Sequence, residues 1–329
     1  MIKVGIVGSG NMGGVHAAAW KATHAQFVGI TSEEPERDRE IASVYGGRRY
    51  ESFDSLLDAV DVIDICTPTH MHHDMILRAA AAKKQIVCEK PLARTYAQGA
   101  EAVDACKAAG VQLLIAHVVR FFPEYARAQQ IVQRGEIGDV AVVRLTRCAF
   151  QPRVAPDSWF MDPAKSGGML LDLMIHDFDY ARWVAGDVVS VYARSVRGRE
   201  PGAGEDYALA ILKHANGAIS NIEGAWAYPA PMFRTALEIA GSGGLIEHPA
   251  DSSTPIGIYK KAQAVGDVPE VGLPLSPLAE DPYTTEIKHF YDVLVNGTTP
   301  RVTAEDALAA LRIALAATES ASSGRAVEI

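Results

Sequence analysis

The 329-residue chain has only four cysteines, Cys66, Cys88, Cys106 and Cys148. None stands in a C-x-x-C pair or at zinc-finger spacing, which argues against a disulfide scaffold and a structural zinc site. Positive charge is also short: 31 Lys and Arg face 40 Asp and Glu, a net charge of −9. That excess excludes a general nucleic-acid surface and a polybasic membrane patch. Every apolar run is cut by charge, Gly or Pro, so no membrane span is expected. Met1 leads straight into a strand pattern without the basic, apolar and cleavage regions of a signal peptide. Reduced thiols in a cytoplasmic protein are the expectation. Internal repeats and low-complexity segments are missing too. What remains, 48% hydrophobic and 22% charged, is an ordinary globular composition long enough for two domains.

The first half alternates. Ile2 to Val7 is a β-branched run suited to a buried parallel strand. Gly8-Ser9-Gly10-Asn11-Met12-Gly13 follows at once and matches G-x-G-x-x-G. The hexapeptide alone is a weak signal, but a strand before it and a helix after it, from about Met12 to Lys21, are what the mechanism demands. Gly8 permits a tight turn, Gly10 lets backbone approach a pyrophosphate, and Gly13 lets helix and strand pack closely. The helix N-terminus offers its N–H groups to the phosphates. Strands are then expected at 27–31, near 49–52, and at 62–66, 85–88 and 111–116. The intervening helices are expected at 35–45, 54–59, 71–82 and 95–109. This alternation predicts a doubly wound parallel sheet with its ligand at the carboxyl ends of the strands. Those ends carry Gly8 to Gly13, Thr31-Ser32, Thr67-Pro68, Glu89-Lys90-Pro91 and His117. With Arg37 and His72 they make up the candidate dinucleotide site. His70-Met71-His72-His73-Asp74 invites a metal reading. Neighbours on one helical turn cannot all face one ion, so no metal is expected. Lys90, directly after an apolar strand, reads either as a surface partner of Glu89 or as a cation that steadies charge on a reacting oxygen.

The second half changes to period two from Val140. Strands are expected at 140–150, 188–199, 207–213, 218–226, 234–240 and 257–260. Asn216-Gly217 is a hairpin signal, and Gly241 to Gly244 a turn. This predicts a mainly antiparallel sheet in an α+β domain spanning 122–329, after a Rossmann domain spanning 1–121. Residues 261–281 read as a long loop, and helices are expected at 282–294 and 304–320. One stretch interrupts the strands, Lys165 to Gly186, KSGGMLLDLMIHDFDYARWVAG. Read as one helix, it puts Asp172, His176, Asp179 and Trp183 on one face of an otherwise apolar rod. A buried stripe with two carboxylates and an imidazole is costly unless the groups pair or work. An Asp–His bond that merely locks the helix is the simplest alternative. A carboxylate-held His can also move a proton near neutral pH.

GSGNMG with His16, then CTPTHMH, CEKP and SGGMLLDLMIHDFDYARW, in that order, resemble the Gfo/Idh/MocA family over essentially the whole length. The resemblance implies a nicotinamide-dependent oxidoreductase acting on a hydroxyl or ketone of a sugar, cyclitol or sugar derivative. It implies Lys90, Asp172 and His176 as catalytic residues, and a homo-oligomer formed through the second sheet. In this reading His176 takes the hydroxyl proton, Lys90 holds the oxygen, and Asp172 orients the imidazole or bonds a neighbouring hydroxyl. Lys90, Trp159, Asp172 and His176 are the expected substrate-binding residues. Two departures stand out. Ser166 replaces the first of three glycines, and Ser32 the usual acid at the end of strand two. The second opens the choice of cofactor. The balance favours NAD, because Glu33 and Glu34 follow Ser32, with NADP the alternative if Arg37 folds back over the ribose. Two other classes compete with an enzyme of this kind: a catalytically silent cofactor-binding sensor or scaffold, and a zinc hydrolase.

Overall fold

A computed structural model of the protein describes residues 1–155, 157–198, 205–248 and 280–329. The chain divides into two compact units, Met1–Phe121 with Ser276–Leu311, and Phe122–Leu275 with Arg312–Ile329. After residue 275 the chain returns to the first unit.

That unit opens with β1 (Lys3–Val7), α1 (Asn11–Lys21), β2 (Gln26–Thr31), α2 (Pro35–Tyr45), β3 (Arg48–Arg49) and α3 (Phe53–Ala59). It continues through β4 (Val62–Ile65), α4 (His72–Ala81), β5 (Gln85–Glu89), α5 (Tyr96–Ala109) and β6 (Leu113–Ala116). All pairings are parallel and the order is β3-β2-β1-β4-β5-β6. The order reverses between β1 and β4, which places the ligand crevice at their carboxyl ends. β4 and β6 are buried at every residue, as strands covered on both faces must be.

The second unit runs through α6 (Pro123–Gln133), β7 (Val140–Ala149), α7 (Pro163–Ser166), α8 (Gly168–Asp172) and α9 (Ile175–Ala185). Then come β8 (Val188–Arg197), β9 (Glu205–His214), β10 (Ile219–Ala225), β11 (Phe233–Gly241) and β12 (Gly244–His248). Its sheet order is β12-β11-β7-β10-β9-β8-β13, the last strand being β13 (Val327–Glu328). Every pair is antiparallel except β7 with β10, so the sheet is mixed. β12 and β13 were not expected. They are short edge strands with little alternation to betray them. The expected strand at 257–260 and most of the 261–281 loop lie outside the described residues.

One face of this sheet is covered: α8 and α9 pack over β7, β9 and β10. Gly224 makes room, since a Cβ there would lie 2.4 Å from Met174 Cγ. The other face shows the alternation of β9 plainly. Ala208, Ala210 and Leu212 are buried, while Tyr207, Leu209 and Ile211 are exposed.

Two helices precede β13, α10 (Pro282–Asn296) and α11 (Ala304–Ser323). α10 starts at a side-chain cap, Asp281 accepting from Thr284 N, with Pro282 at its first position. Its apolar face, with Ile287, Phe290 and Val293, joins Trp20, Phe27 and Phe121 in the core of the first unit. That burial is why this segment belongs with the first unit and not with 122–329. No helix among the described residues is long and apolar enough to cross a membrane.

Candidate active site

The glycine turn between β1 and α1 has the shape a pyrophosphate needs. Gly8 has φ +102°, and a Cβ on it would lie 2.5 Å from the Cys66 carbonyl oxygen. A Cβ on Gly13 would lie 2.0 Å from the Gly8 carbonyl oxygen. Over Gly10 there is open space within 4 Å, so a ligand can approach its backbone. No side chain caps α1, and no acid stands in its first turn. Its leading N–H groups, at Asn11, Met12 and Gly13, are left to an anion. These features fit a dinucleotide.

At the end of β2, Thr31 is buried and Ser32 is held from behind. Its N–H and hydroxyl donate to Asp38, at 2.9 and 2.6 Å. Ser9 Oγ lies 2.6 Å from Ser32 Oγ and must be the donor there, since the Ser32 proton goes to Asp38. The missing acid at the strand end is thus supplied by Asp38, fully buried on α2 and turned onto Ser32. Arg37 Nε donates to the Ser9 carbonyl at 2.6 Å, which lays the exposed side chain across the glycine turn. At the end of β4, Thr67 and Pro68 are half-buried.

The turn after β5 is tied down on both sides. Glu89 is buried, and its Oε2 accepts from the Lys90 N–H at 3.0 Å. Its Oε1 faces His16 Nε2 at 3.2 Å, and His16 Nδ1 faces Asp64 Oδ2 at 2.9 Å. Trp20 Nε1 donates to the same Asp64 oxygen at 2.7 Å. Burial alone would lower the His16 pKa, but the Asp64 carboxylate overrides it and holds the pKa well above the usual range. The fold therefore favours the protonated imidazole of His16. Burial would raise the Glu89 pKa, but the bond from His16 and its charge hold it low. His72 secures the far side, with Nδ1 2.8 Å from the Pro91 carbonyl and Nε2 2.9 Å from the Thr67 carbonyl. It is buried, so it acts as a brace between the two turns. The Glu89–Lys90 surface pair considered from sequence does not describe this site. Glu89 is interior and directed at His16.

Of the neighbouring histidines, His72 lies between the Pro91 and Thr67 carbonyls and His73 Nε2 lies 2.9 Å from Glu101 Oε2. Ligand atoms of His16, Asp64 and Cys66 do lie within 4.8 Å of one another. Both His16 nitrogens already face carboxylates, and burial pushes the Cys66 thiol far above the thiolate range. A cation there would have to displace the carboxylate contacts of His16 and deprotonate a buried thiol.

In the second unit the helical stretch is not one helix. The chain forms α7, α8 and α9, with left-handed Gly167 after α7 and a wide turn at Leu173-Met174. There the Met174 N–H reaches back five residues to the Met169 carbonyl at 3.1 Å. Asp172 closes α8, whereas His176, Asp179 and Trp183 lie on α9. The expectation of a buried stripe needs correction as well. Asp172, His176 and Trp183 are half-buried, and only Asp179 is interior. Trp159 stands in a short 3-10 turn, half-buried and edge-on to Phe160 at 5.6 Å. A buried ion pair of this unit is not visible in the sequence. Arg147 on β7 donates to Asp177 through two nitrogens, at 2.7 and 3.1 Å. It ties α9 to the sheet. No short-range pattern marks it, because 30 residues separate the partners.

The comparisons agree along the chain. Residues 2–117 match the family described as an oxidoreductase family with an NAD-binding Rossmann fold. Residues 125–247 match the GFO/IDH/MocA C-terminal domain. The inositol 2-dehydrogenase of Rhizobium meliloti (strain 1021) is 31% identical over all of this chain and 99% of its own. The crystal structure of GenD2 from gentamicin A biosynthesis, in complex with NAD, superposes with a TM-score of 0.86 at 26% identity. That match covers 100% of this chain and 96% of GenD2. A myo-inositol dehydrogenase from Corynebacterium glutamicum ATCC 13032 gives 0.82 at 25% identity, over 100% and 99% of the two chains. With the glycine turn, the strand-end lysine and the two-unit architecture in place, the chain belongs to the Gfo/Idh/MocA family of NAD-binding oxidoreductases.

Proposed function

We propose that this protein interconverts a secondary hydroxyl and its ketone on a sugar, cyclitol or sugar derivative. The observation that carries the reading is Lys90, on a turn fixed by Glu89 and His72 at the carboxyl edge of the dinucleotide sheet. The bound nicotinamide would supply the hydride acceptor or donor. Gly8 to Gly13 and Thr67-Pro68 would hold its phosphates and ribose, with Thr31, Ser32 and Arg37 at the adenosine end. The family of the first unit is described as NAD-binding, and GenD2 was solved with NAD. Arg37 over the glycine turn also suits the 2′-phosphate of NADP. Lys90 steadies negative charge on the reacting oxygen as the C–H bond breaks. His176 takes the hydroxyl proton in oxidation and returns it in reduction. Asp172 orients that imidazole or bonds a neighbouring hydroxyl, and Trp159 offers a flat apolar wall to a ring. The substrate class follows the relatives, named for inositol and for gentamicin A biosynthesis.

The exposed face of the second sheet carries Tyr192, Tyr207, Leu209, Ile211, Ile219 and Leu245. A patch of that kind suits a second copy of the chain, as a dimer or tetramer. All four cysteines are free, which suits the reducing cytoplasm.

The test is a panel of cyclitols, sugars and sugar derivatives assayed with NAD and NADP, read at the absorbance of reduced nicotinamide. Turnover on at least one polyhydroxylated ring is expected. Tight NADH binding without turnover on any member of the panel would replace the enzyme by a cofactor-binding sensor.

A further inference from the structure

α1 contributes more than its N-terminus. His16 stands behind the glycine turn, fully buried, and its two nitrogens are clamped between Asp64 on β4 and Glu89 at the end of β5. Glu89 divides its oxygens, one facing the imidazole and the other accepting the Lys90 N–H. Turning the Glu89 carboxylate away from Lys90 would therefore also strip the imidazole of a buried partner. Such a loss is costly in an interior of low dielectric, so the carboxylate has one stable orientation. Asp64 is itself oriented by the Trp20 indole. The result is a continuous buried chain, Trp20 to Asp64 to His16 to Glu89 to the Lys90 backbone.

We propose that His16 is a positioning residue for Lys90, acting through Glu89 to hold the β5 turn in the geometry the reaction needs. The proposal rests on the assignment of Lys90 to the reacting oxygen. A small displacement of a positioned group is enough to slow chemistry by on the order of tenfold to a hundredfold. A brace that served folding alone would change stability and leave the rate of the folded enzyme untouched.

The experiment is steady-state kinetics on His16→Leu, His16→Gln, Glu89→Gln, Lys90→Ala and the double variant His16→Leu/Lys90→Ala. NADH affinity is measured alongside by fluorescence titration. His16→Leu is expected to lower kcat by about tenfold to a hundredfold, with the NADH dissociation constant within about threefold of the parent. His16→Gln restores most of the rate, because its amide can donate to Glu89. In the Lys90→Ala background the Leu substitution should cause no further loss, the signature of two residues acting as one unit. If His16→Leu fails to fold, Glu89→Gln carries the test. It should lower kcat in the same range while binding NADH normally. A parent-like kcat in His16→Leu or Glu89→Gln, or an additive loss in the double variant, overturns the proposal. A parent-like rate in Lys90→Ala instead removes the assignment on which it rests, and the two failures are distinct.

Discussion

Replacing Glu286 by Gln should flatten the pH dependence of stability. Glu286 lies on α10, wholly buried, and neither carboxyl oxygen finds a hydrogen-bond partner among the described residues. Burial raises its pKa well above the usual 4.5, and the Glu89 carboxylate raises it further, with Asp64 adding to the effect. His16 and Arg301 pull the other way and do not win. The folded protein therefore keeps a proton on Glu286 that the unfolded chain releases above about pH 4.5. A raised pKa gives stability that is complete below the unfolded value and lost as pH climbs to the folded one. Across that window each pH unit costs about 1.4 kcal/mol, so two units cost about 2.7 kcal/mol. Gln has nearly the same shape and no proton to lose. Its buried amide adds an offset of about 1–3 kcal/mol that does not vary with pH, so the slope and not the level is the readout. Urea unfolding of parent and variant in unit steps upward from about pH 5, followed by circular dichroism, gives the difference directly. The stability of Glu286→Gln relative to the parent should rise with pH between the unfolded carboxylate value and the raised folded one, by at most about 1.4 kcal/mol per unit. His16 contributes a slope of the same sign above its own unfolded pKa, but in both proteins. Parallel curves would mean that Glu286 is ionised in the fold and refute the assignment of a buried neutral acid.

Lys90→Ala should reduce kcat by on the order of 10²–10³ with NADH affinity nearly intact, as stopped-flow and titration would show. In the oxidation direction the parent rate should rise between about pH 6 and 8 as an imidazole becomes the free base, and His176→Ala should abolish that limb. An unchanged profile would move the base elsewhere. Arg37→Ala should weaken NADPH binding by about tenfold and change NADH by less than about threefold, because only the former carries a phosphate for the guanidinium. Equal effects on both cofactors would assign Arg37 to the adenosine they share. Asp177→Ala should destabilise the second unit by about 3–5 kcal/mol, since it strips the buried Arg147 of its carboxylate. The double replacement Arg147→Met/Asp177→Leu should cost much less, and thermal melting compares the two.

The features legible in the sequence are those whose cause is local. The glycine hexapeptide is tied to its turn because Gly8 needs a positive φ and Gly13 has no room for a Cβ. The parallel sheet follows from strand-length apolar runs alternating with helices, and Asn216-Gly217 does sit at the β9–β10 turn, with Gly217 at φ +91°. The capped starts of α3, α5 and α10 are likewise carried by neighbours in sequence, at Ser52, Thr95 and Asp281. The break between α8 and α9 was not legible. The apolar run there keeps a helical period, and the wide turn at Leu173-Met174 forms where Met174 packs against Gly224 of a distant strand. The parallel β7–β10 pair, the Arg147–Asp177 bridge and the return of α10 to the first unit share this character. Each joins segments that no short pattern relates. Protonation is the extreme case. Whether His16 is a cation and Glu286 a neutral acid depends on desolvation and on charges brought by β4, β5 and α10, and those quantities exist only once the tertiary structure has excluded water and set the distances.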